Sequence, residues 1–76
     1  MVLLLEKTTL SSRIKFARKK AGFNQEEIAE KLQITKQQFS KYEKEKSIPP
    51  SDKLLKISKL CEVDPGWLLS GEGNPF

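Results

Sequence analysis

Apolar residues recur at helical spacing along most of the chain and predict a series of short helices. The stripes are Leu10, Ile14, Ala17 and Ala21; Ile28, Ala29 and Leu32; Phe39 and Tyr42; Leu54, Leu55, Ile57, Leu60 and Cys61; and Trp67, Leu68 and Leu69. Apolar positions three and four residues apart lie on one face of a helix, whereas a half-buried strand alternates polar and apolar residues. No segment shows that alternation, so the pattern predicts an all-α, compact five-helix domain.

Residues that cap or end helices set the predicted boundaries. The first helix should begin near Ser11 or Ser12, whose hydroxyls can accept from first-turn N–H groups. It should end at Gly22, which tolerates a left-handed conformation. Ser51 is expected to cap the fourth helix, and Pro65 suits the first position of the fifth. These signals leave only short connections between the helices.

The segment from Asn24 to Glu43 predicts two short helices joined by a tight turn. Asn24 can accept a hydrogen bond from the first-turn N–H groups while Glu27 reaches back to it, and Thr35 can cap the next helix. Helices this short are unstable alone and must be braced by the rest of a small core. A short helix with a polar, basic outer face fits the major groove of DNA. The segment therefore predicts a central, DNA-binding helix-turn-helix.

Length, charge and residue types narrow the possible functions. The 76 residues make one small domain, with 14 Lys and Arg against 10 Asp and Glu and a net charge of +4. One cysteine and no histidine exclude disulfide scaffolds, Cys/His zinc sites and histidine-assisted catalysis within one chain. We therefore predict no metal, no cofactor and no enzymatic activity. A general electrostatic surface, rather than individual contacts, is expected from Arg13, Lys15, Lys19 and Lys20.

The regions that flank the helices carry no clear pattern. We interpret residues 1–10 as an N-terminal arm, 11–71 as the helix-turn-helix domain and 72–76 as a C-terminal tail. The apolar run Val2–Leu5 is too short for a signal sequence or a membrane span, which makes a cytoplasmic protein the expectation. Leu3–Leu5 would expose an apolar patch unless they pack on the domain or on a second subunit.

The order of these features resembles the DNA-binding domains of the lambdoid phage repressors and Cro proteins, from about Ser11 to Gly71. The matching residues are Ser11–Lys15, Arg18, Asn24–Glu26, Ala29, Gln37, Glu43 and Val63–Gly71. One position departs from that family: its members often carry glycine in the turn after the second helix, where this chain has Gln33. A non-glycine residue with positive φ costs on the order of 1 kcal/mol. The resemblance therefore implies the same fold with a slightly altered turn.

The outer face of the third helix is the expected reading surface. At about 100° per residue, Phe39, Tyr42 and Glu43 share one arc and polar residues occupy the opposite arc. Base readout in the major groove is assigned to Lys36, Gln37, Ser40 and Lys41. The resemblance implies phosphate contacts at Gln25, Lys46 and Ser47, to which we add Asn24 and Lys44. The resemblance implies that Gln25 also supports the start of this recognition helix.

The resemblance also implies a buried ion pair and a dimer. Arg18 and Glu43 match positions that pair in the phage repressors. A subunit interface is expected at Pro65, Gly66, Trp67 and Leu68, with Leu3–Leu5 as an additional contact. The chain is thus predicted to bind a palindromic operator in double-stranded DNA as a homodimer and to regulate transcription, as a phage or bacterial repressor. Two alternatives stay open: an antitoxin that also neutralises a partner protein, and an interaction module that has lost DNA binding.

Overall fold

A computed structural model describes residues 8–76 of the chain, and its helices confirm the all-α fold. The helices within these residues are α1 (Leu10–Ala21), α2 (Gln25–Leu32), α3 (Lys36–Glu43), α4 (Ser51–Cys61) and α5 (Pro65–Ser70). The predicted contact through Leu3–Leu5 falls outside the described residues. Helix α1 packs against α3, α4 and α5, while α2 packs against α3 and α4. The helix-turn-helix of α2 and α3 is therefore held in place by both α1 and α4.

One apolar core joins the helices. Its largest fully buried side chains, at least one from each helix, are Ile14, Ile28, Leu32, Phe39, Ile57 and Leu68. Burying an apolar side chain of this size contributes about 1.5–3 kcal/mol. Isolated helices shorter than about 12–15 residues are marginal in water, and α2 and α3 have 8 residues each. Contacts with this shared core therefore keep both helices folded.

The helix-turn-helix segment is capped as its sequence predicts. Asn24 Oδ1 accepts from the Glu27 N–H at 2.7 Å, and the Asn24 N–H donates to Glu27 Oε1 at 2.8 Å. Thr35 Oγ1 accepts from the Gln38 N–H at 3.0 Å at the start of α3. Between these caps Gln33 has a left-handed conformation, with φ 61° and ψ 41°. The turn keeps the geometry that glycine usually supplies, at a cost of about 1 kcal/mol.

Two predicted N-cap residues are wrong, although both helices begin within one residue of the predicted position. Helix α1 begins at Leu10, because Thr9 and Ser12 form a reciprocal capping box in which each side chain accepts from the other's backbone N–H. Helix α4 has Pro50 as its N-cap, without a side-chain cap bond, and Ser51 is already helical. The pyrrolidine ring holds φ of Pro50 at −62°, which fixes the direction in which the chain enters α4 but supplies no acceptor for its first N–H groups.

Two apolar positions predicted to face inward are exposed. Ala21 is exposed in the last turn of α1, and Leu55 on α4 is 48% exposed. Leu54 and Ile57 are buried, and a rotation of about 100° per residue carries Leu55 out of their stripe. The apolar run of α4 is therefore wider than the face that the domain buries.

The C-terminal tail packs back on the domain. Gly71 ends α5 in a left-handed conformation, with φ 81°. The Pro75 carbonyl then accepts from the Asp64 N–H at 2.7 Å. The Phe76 ring lies 6.3 Å from the Phe16 ring, centroid to centroid. Residues predicted as a tail therefore brace the residue that caps α5.

Candidate nucleic-acid interface

Helix α3 separates its inward and outward side chains. Phe39 is fully buried and Tyr42 is 4% exposed, so both belong to the core. Their rings pack edge to face, with centroids 6.1 Å apart. Lys36, Gln37, Ser40 and Lys41 lie outside this buried stripe, and of these four only Ser40 is half-buried. The polar face of α3 is therefore available to a ligand while its apolar face anchors it.

Residues predicted for base readout and for phosphate contact meet in one open surface groove, which we call the basic groove. It is lined by Gln25, Lys36, Gln37, Ser40, Lys41, Lys44 and Lys46. Gln25 is the first residue of α2, whereas the other lining residues belong to α3 or follow it directly. Among these lining residues none is acidic and four are lysines. A concave surface with charges of one sign attracts a ligand of the opposite sign, here a polyanion.

Glu43 connects the basic groove to the interior. Its carboxylate accepts from Arg18 Nε at 2.6 Å, from Arg18 Nη2 at 3.2 Å and from Gln25 Nε2 at 2.9 Å. Arg18 Nη1 also donates to the Phe23 carbonyl at 3.0 Å. The Arg18 and Glu43 side chains are only 9% and 3% exposed. One shielded carboxylate thus joins α1, the start of α2 and the end of α3.

Gln25 is hydrogen-bonded to the end of α3, whereas the resemblance implied that it supports the start of that helix. Its amide donates to Glu43, the last residue of the helix. A hydrogen bond to a carboxylate is roughly twice as strong as one between neutral groups, which favours this partner. Gln25 is half-buried at the groove. Its side chain is therefore oriented before any ligand arrives.

The other predicted phosphate-contact residues fall into two groups. Lys44 and Lys46 line the basic groove, and the Lys46 N–H donates to a carbonyl in the last turn of α3 at 3.0 Å. Asn24 and Ser47 are not among the lining residues. Asn24 caps α2, and the Ser47 hydroxyl accepts from Gln38 Nε2 at 3.4 Å. The structure thus brings together two of these four residues in the groove and uses the other two for local hydrogen bonds.

A lysine outside the helix-turn-helix braces its turn, and sequence reasoning missed it. Lys53 Nζ on α4 donates to the carbonyl of Leu32, the last residue of α2, at 3.0 Å. The last carbonyls of a helix have no partner within it and form the negative end of the helix dipole. Lys53 therefore caps α2 directly before the Gln33 turn. No spacing signal marks this contact, because its acceptor is a backbone atom.

Arg13 also differs from its expected role. Predicted as part of an electrostatic surface, it is only 7% exposed. Its Nε donates to the Leu68 carbonyl at 2.8 Å and Nη2 to the Leu69 carbonyl at 3.0 Å, while Nη1 donates to Thr8 O and Oγ1 at 3.2 Å each. Burial lowers the pKa of the Arg13 guanidinium. Arg13 lies four residues before the buried Ala17, a helical spacing that could have indicated an inward position.

The residues predicted for a subunit interface differ in accessibility. Leu68 is fully buried in the core of its own domain, so it is not available to a second subunit. Trp67 is half-buried, with its ring edge to face with Phe16 at 5.7 Å between centroids. Pro65 and Gly66 are exposed. Apolar spacing predicted that this short helix is buried, but not which of its side chains face the core.

Two leucines beside that helix form a surface that the sequence reasoning did not identify. Leu55 on α4 is 48% exposed and Leu69 on α5 is 56% exposed. Together with Pro65 they line a shallow groove between the two helices, which we call the apolar groove. Exposed apolar residues that adjoin one another often mark contact with another molecule. The apolar width of α4 was the available signal, since its sequence has more apolar residues than one helix face can bury.

The described residues contain neither a metal-binding cluster nor a membrane-spanning helix. Within residues 8–76, no three His, Cys, Asp or Glu side chains cluster in a way that could hold a metal ion. Over the same part of the chain, every helix is too short or too polar to cross a bilayer.

Most of the chain is similar to a protein family and to several curated proteins. The model of a family described as "Helix-turn-helix domain" matches residues 11–74. The HTH-type transcriptional regulator ImmR of Bacillus subtilis is 46% identical over 61 residues, which cover 80% of this chain and 48% of ImmR. The HTH-type transcriptional regulator DicA of Escherichia coli is 31% identical over 64 residues, covering 84% of this chain and 47% of DicA.

A third relative is named as prophage-derived. The SPbeta prophage-derived uncharacterized HTH-type transcriptional regulator YonR of Bacillus subtilis is 37% identical over 64 residues. The match covers 84% of this chain and 59% of YonR. The chain thus spans about half the length of the curated relatives that it matches.

Proposed function

The chain belongs to the helix-turn-helix domain family, and from that membership we propose that it binds a palindromic operator in double-stranded DNA as a homodimer and represses transcription. The observation that carries the proposal is the basic groove, where the start of α2 and the outer face of α3 present amides and lysines side by side. The relatives are named transcriptional regulators, and one of them is named as prophage-derived. These names support a regulator of the bacterial or phage kind. The proposed function requires no catalysis.

Base readout is assigned to the outer face of α3. Gln37 lies in the first turn and is exposed, and its amide can pair with N6 and N7 of adenine in the major groove. Lys36 and Lys41 can donate to guanine or to a phosphate, and Ser40 can pair with more than one base. The buried Phe39 holds the helix from behind, so its outward side chains start from a rigid support.

Phosphate contacts are assigned to the rim of the basic groove. A glutamine amide nitrogen carries two hydrogens, and the bond from Gln25 to Glu43 uses one of them. The second hydrogen can donate to a phosphate oxygen. Lys44 and Lys46 add positive charge on the same rim. Asn24 and Ser47 are secondary contacts, because their side chains already make local hydrogen bonds.

The dimer is assigned to the outer side of α5. Pro65 and Gly66 are exposed there, and Leu55 and Leu69 of the apolar groove extend the surface. Trp67 contributes at most its exposed edge, since part of its ring is covered by Phe16. Two such subunits would place their α3 helices in successive major grooves, roughly 34 Å apart.

Selection of bound sequences from a random duplex pool tests this function. The expected result is an enriched palindrome whose half-sites are about one helical turn apart. With about 6–10 phosphate contacts per dimer, the log–log salt dependence of its affinity should have a slope of about −5 to −9. The absence of an enriched sequence, or a slope near zero, would overturn the proposal.

A pair of lysine variants adds a matched control. Lys44→Ala removes a charge from the basic groove and should lower the magnitude of the salt slope by about 1 per subunit. Lys59→Ala removes an equal charge from an exposed position on α4 that does not line the groove. The slope for Lys59→Ala should equal that of the wild type. Equal slopes for the two variants would place the DNA elsewhere on the domain.

A further inference from the structure

Arg13 is the most extensively hydrogen-bonded buried side chain that the reading surface does not use. Its guanidinium is bonded to two carbonyls in the last turn of α5 and to both oxygens of Thr8, which precedes α1. A planar guanidinium can hold several acceptors in fixed directions, which a lysine ammonium cannot do. It also brings positive charge to the C-terminal end of α5, where the helix dipole favours it. Arg13 therefore fixes how the last turn of α5 sits against α1.

Gly71, the residue that ends α5, lacks a side chain and so leaves room for the Arg13 guanidinium. A Cβ atom added at Gly71 would lie 2.8 Å from Arg13 Nη1 and 3.5 Å from Thr8 Oγ1. Gly71 also has φ 81°, a conformation that other residues rarely adopt. Glycine is thus required both for the backbone turn and for the close approach of Arg13.

The held turn also carries part of the proposed dimer surface. Arg13 bonds to the backbone carbonyl of Leu69, while the Leu69 side chain is 56% exposed and lines the apolar groove. Arg13 itself does not line that groove. Its effect on a second subunit must therefore pass through the position of α5 and not through direct contact.

We propose that Arg13 is the positioning residue of the dimer surface, because it holds the last turn of α5 where the Leu69 side chain meets a second copy of this chain. The inference rests on the homodimer of the proposed function. This role differs from pure stabilisation of the fold, because the contact between subunits also depends on the Arg13 guanidinium. DNA reading by a single subunit should not depend on Arg13, since the basic groove lies on other residues.

The test compares affinity for a full palindrome with affinity for a half-site duplex, at one salt concentration and with folded protein quantified by urea unfolding. Arg13→Lys keeps the charge but cannot hold all the acceptors. The ratio of full-site to half-site affinity should fall about tenfold, which corresponds to about 1.4 kcal/mol of lost contact between subunits. Affinity for the half-site should be unchanged.

Three further variants keep the test informative if Arg13→Lys does not fold. Gly71→Ala presses on Arg13 from the other side, and Thr8→Val removes one acceptor, so both should lower the ratio. Leu69→Ser alters the proposed contact directly and should lower it without changing stability. The matched control is Lys15→Met, which removes a charge from an exposed position on α1 and should leave the ratio as in the wild type.

The outcomes separate this inference from the proposed function. If the wild type prefers the full site and the Arg13 and Gly71 variants keep that preference, Arg13 only stabilises the fold and the inference is wrong. If these variants weaken half-site and full-site binding equally, it is wrong as well. A wild type with equal affinity for both duplexes would refute the homodimer itself, and the inference with it.

Discussion

Two arginines on α1 are buried to nearly the same degree, 7% exposed for Arg13 and 8% for Arg18, but they are neutralised in different ways. Arg18 faces the Glu43 carboxylate, so one charge is paired with another. Within residues 8–76, the hydrogen-bond partners of Arg13 are three backbone carbonyls and a hydroxyl, so neutral acceptors compensate its charge there. Two arginines on the same helix are thus stabilised by two different sets of hydrogen-bond acceptors.

We call the part of the domain around Arg18 and the basic groove the reading end, and the part around Arg13 and the apolar groove the closing end. At the reading end, Arg18 and Glu43 hold Gln25 beside the basic groove. At the closing end, Arg13 holds α5 beside the apolar groove. A buried charge in an ion pair depends on its partner, because removing either residue leaves the other as an unpaired buried ion. Neutral carbonyls that lose their partner can be hydrated, at a smaller cost in stability.

The largest effect is expected when the charged pair is broken. Glu43→Gln or Arg18→Met should each lower the free energy of unfolding by about 3–5 kcal/mol, because the remaining charge is stranded in a shielded site. Urea unfolding measures the change. Glu30→Gln, which removes an exposed carboxylate from α2, is the control and should change the midpoint little. A wild-type midpoint for both pair variants would mean that water already screens the pair.

A smaller loss is expected at the closing end. Arg13→Met should lower the free energy of unfolding by about 1–3 kcal/mol, since it leaves neutral carbonyls without partners and no unpaired charge. The same urea experiment applies, with Lys15→Met as the control for loss of one positive charge from α1. If Arg13→Met costs as much as Arg18→Met, the distinction between the two ends does not hold.

Within the reading end, alanine variants of two glutamines should weaken DNA binding in different ways. Gln37→Ala removes the proposed base contact and should cost about 1–3 kcal/mol per half-site, with relaxed preference at one operator position. Gln25→Ala should weaken binding to all sequences alike, because a phosphate contact carries no sequence information. Affinities for single-base operator variants, measured at one salt concentration, distinguish these outcomes. A uniform loss for Gln37→Ala would transfer the readout to Lys36, Ser40 or Lys41.

The smallest effect concerns Cys61, whose thiol pKa is influenced by the charge of Arg18 at the reading end. Burial raises its pKa to about 11 from an ordinary 9.0, while the Arg18 charge opposes that rise. The unfolded thiol therefore ionises first, so its contribution to stability is complete below pH 9 and is lost as pH rises towards 11. At a pH of about 9.5 the loss should be no more than about 1 kcal/mol.

A Cys61→Ala variant isolates this contribution. Unfolding free energies of wild type and variant, measured from about pH 8 to 10.5, should diverge above the ordinary pKa of a thiol, with the wild type losing more. Lysine titration affects both proteins and cancels in the difference. Parallel profiles would show that the folded thiol ionises as readily as the unfolded one.

The reading end could be predicted in more detail than the closing end. Asn24, Glu27 and Thr35 are caps whose partners lie three residues away, so a local pattern suffices to predict them. The pairing of Glu43 with Arg18 was implied by the resemblance, which could match both partners because both are charged side chains. The closing end depends on Arg13 and backbone carbonyls, and because every residue has a carbonyl, no residue type in the sequence identifies the acceptors.

The sequence by itself determined the number of helices within residues 8–76, the caps of the helix-turn-helix and the polar face of α3, because these depend on spacing and on residues close along the chain. Only the tertiary structure decided that Arg13 points inward, that Leu68 is buried and that Leu55 and Leu69 are exposed. These outcomes depend on which faces of α1, α4 and α5 meet. A periodic pattern locates an apolar stripe to within about one residue in rotation, and the packing of neighbouring helices selects the side chains that water no longer reaches.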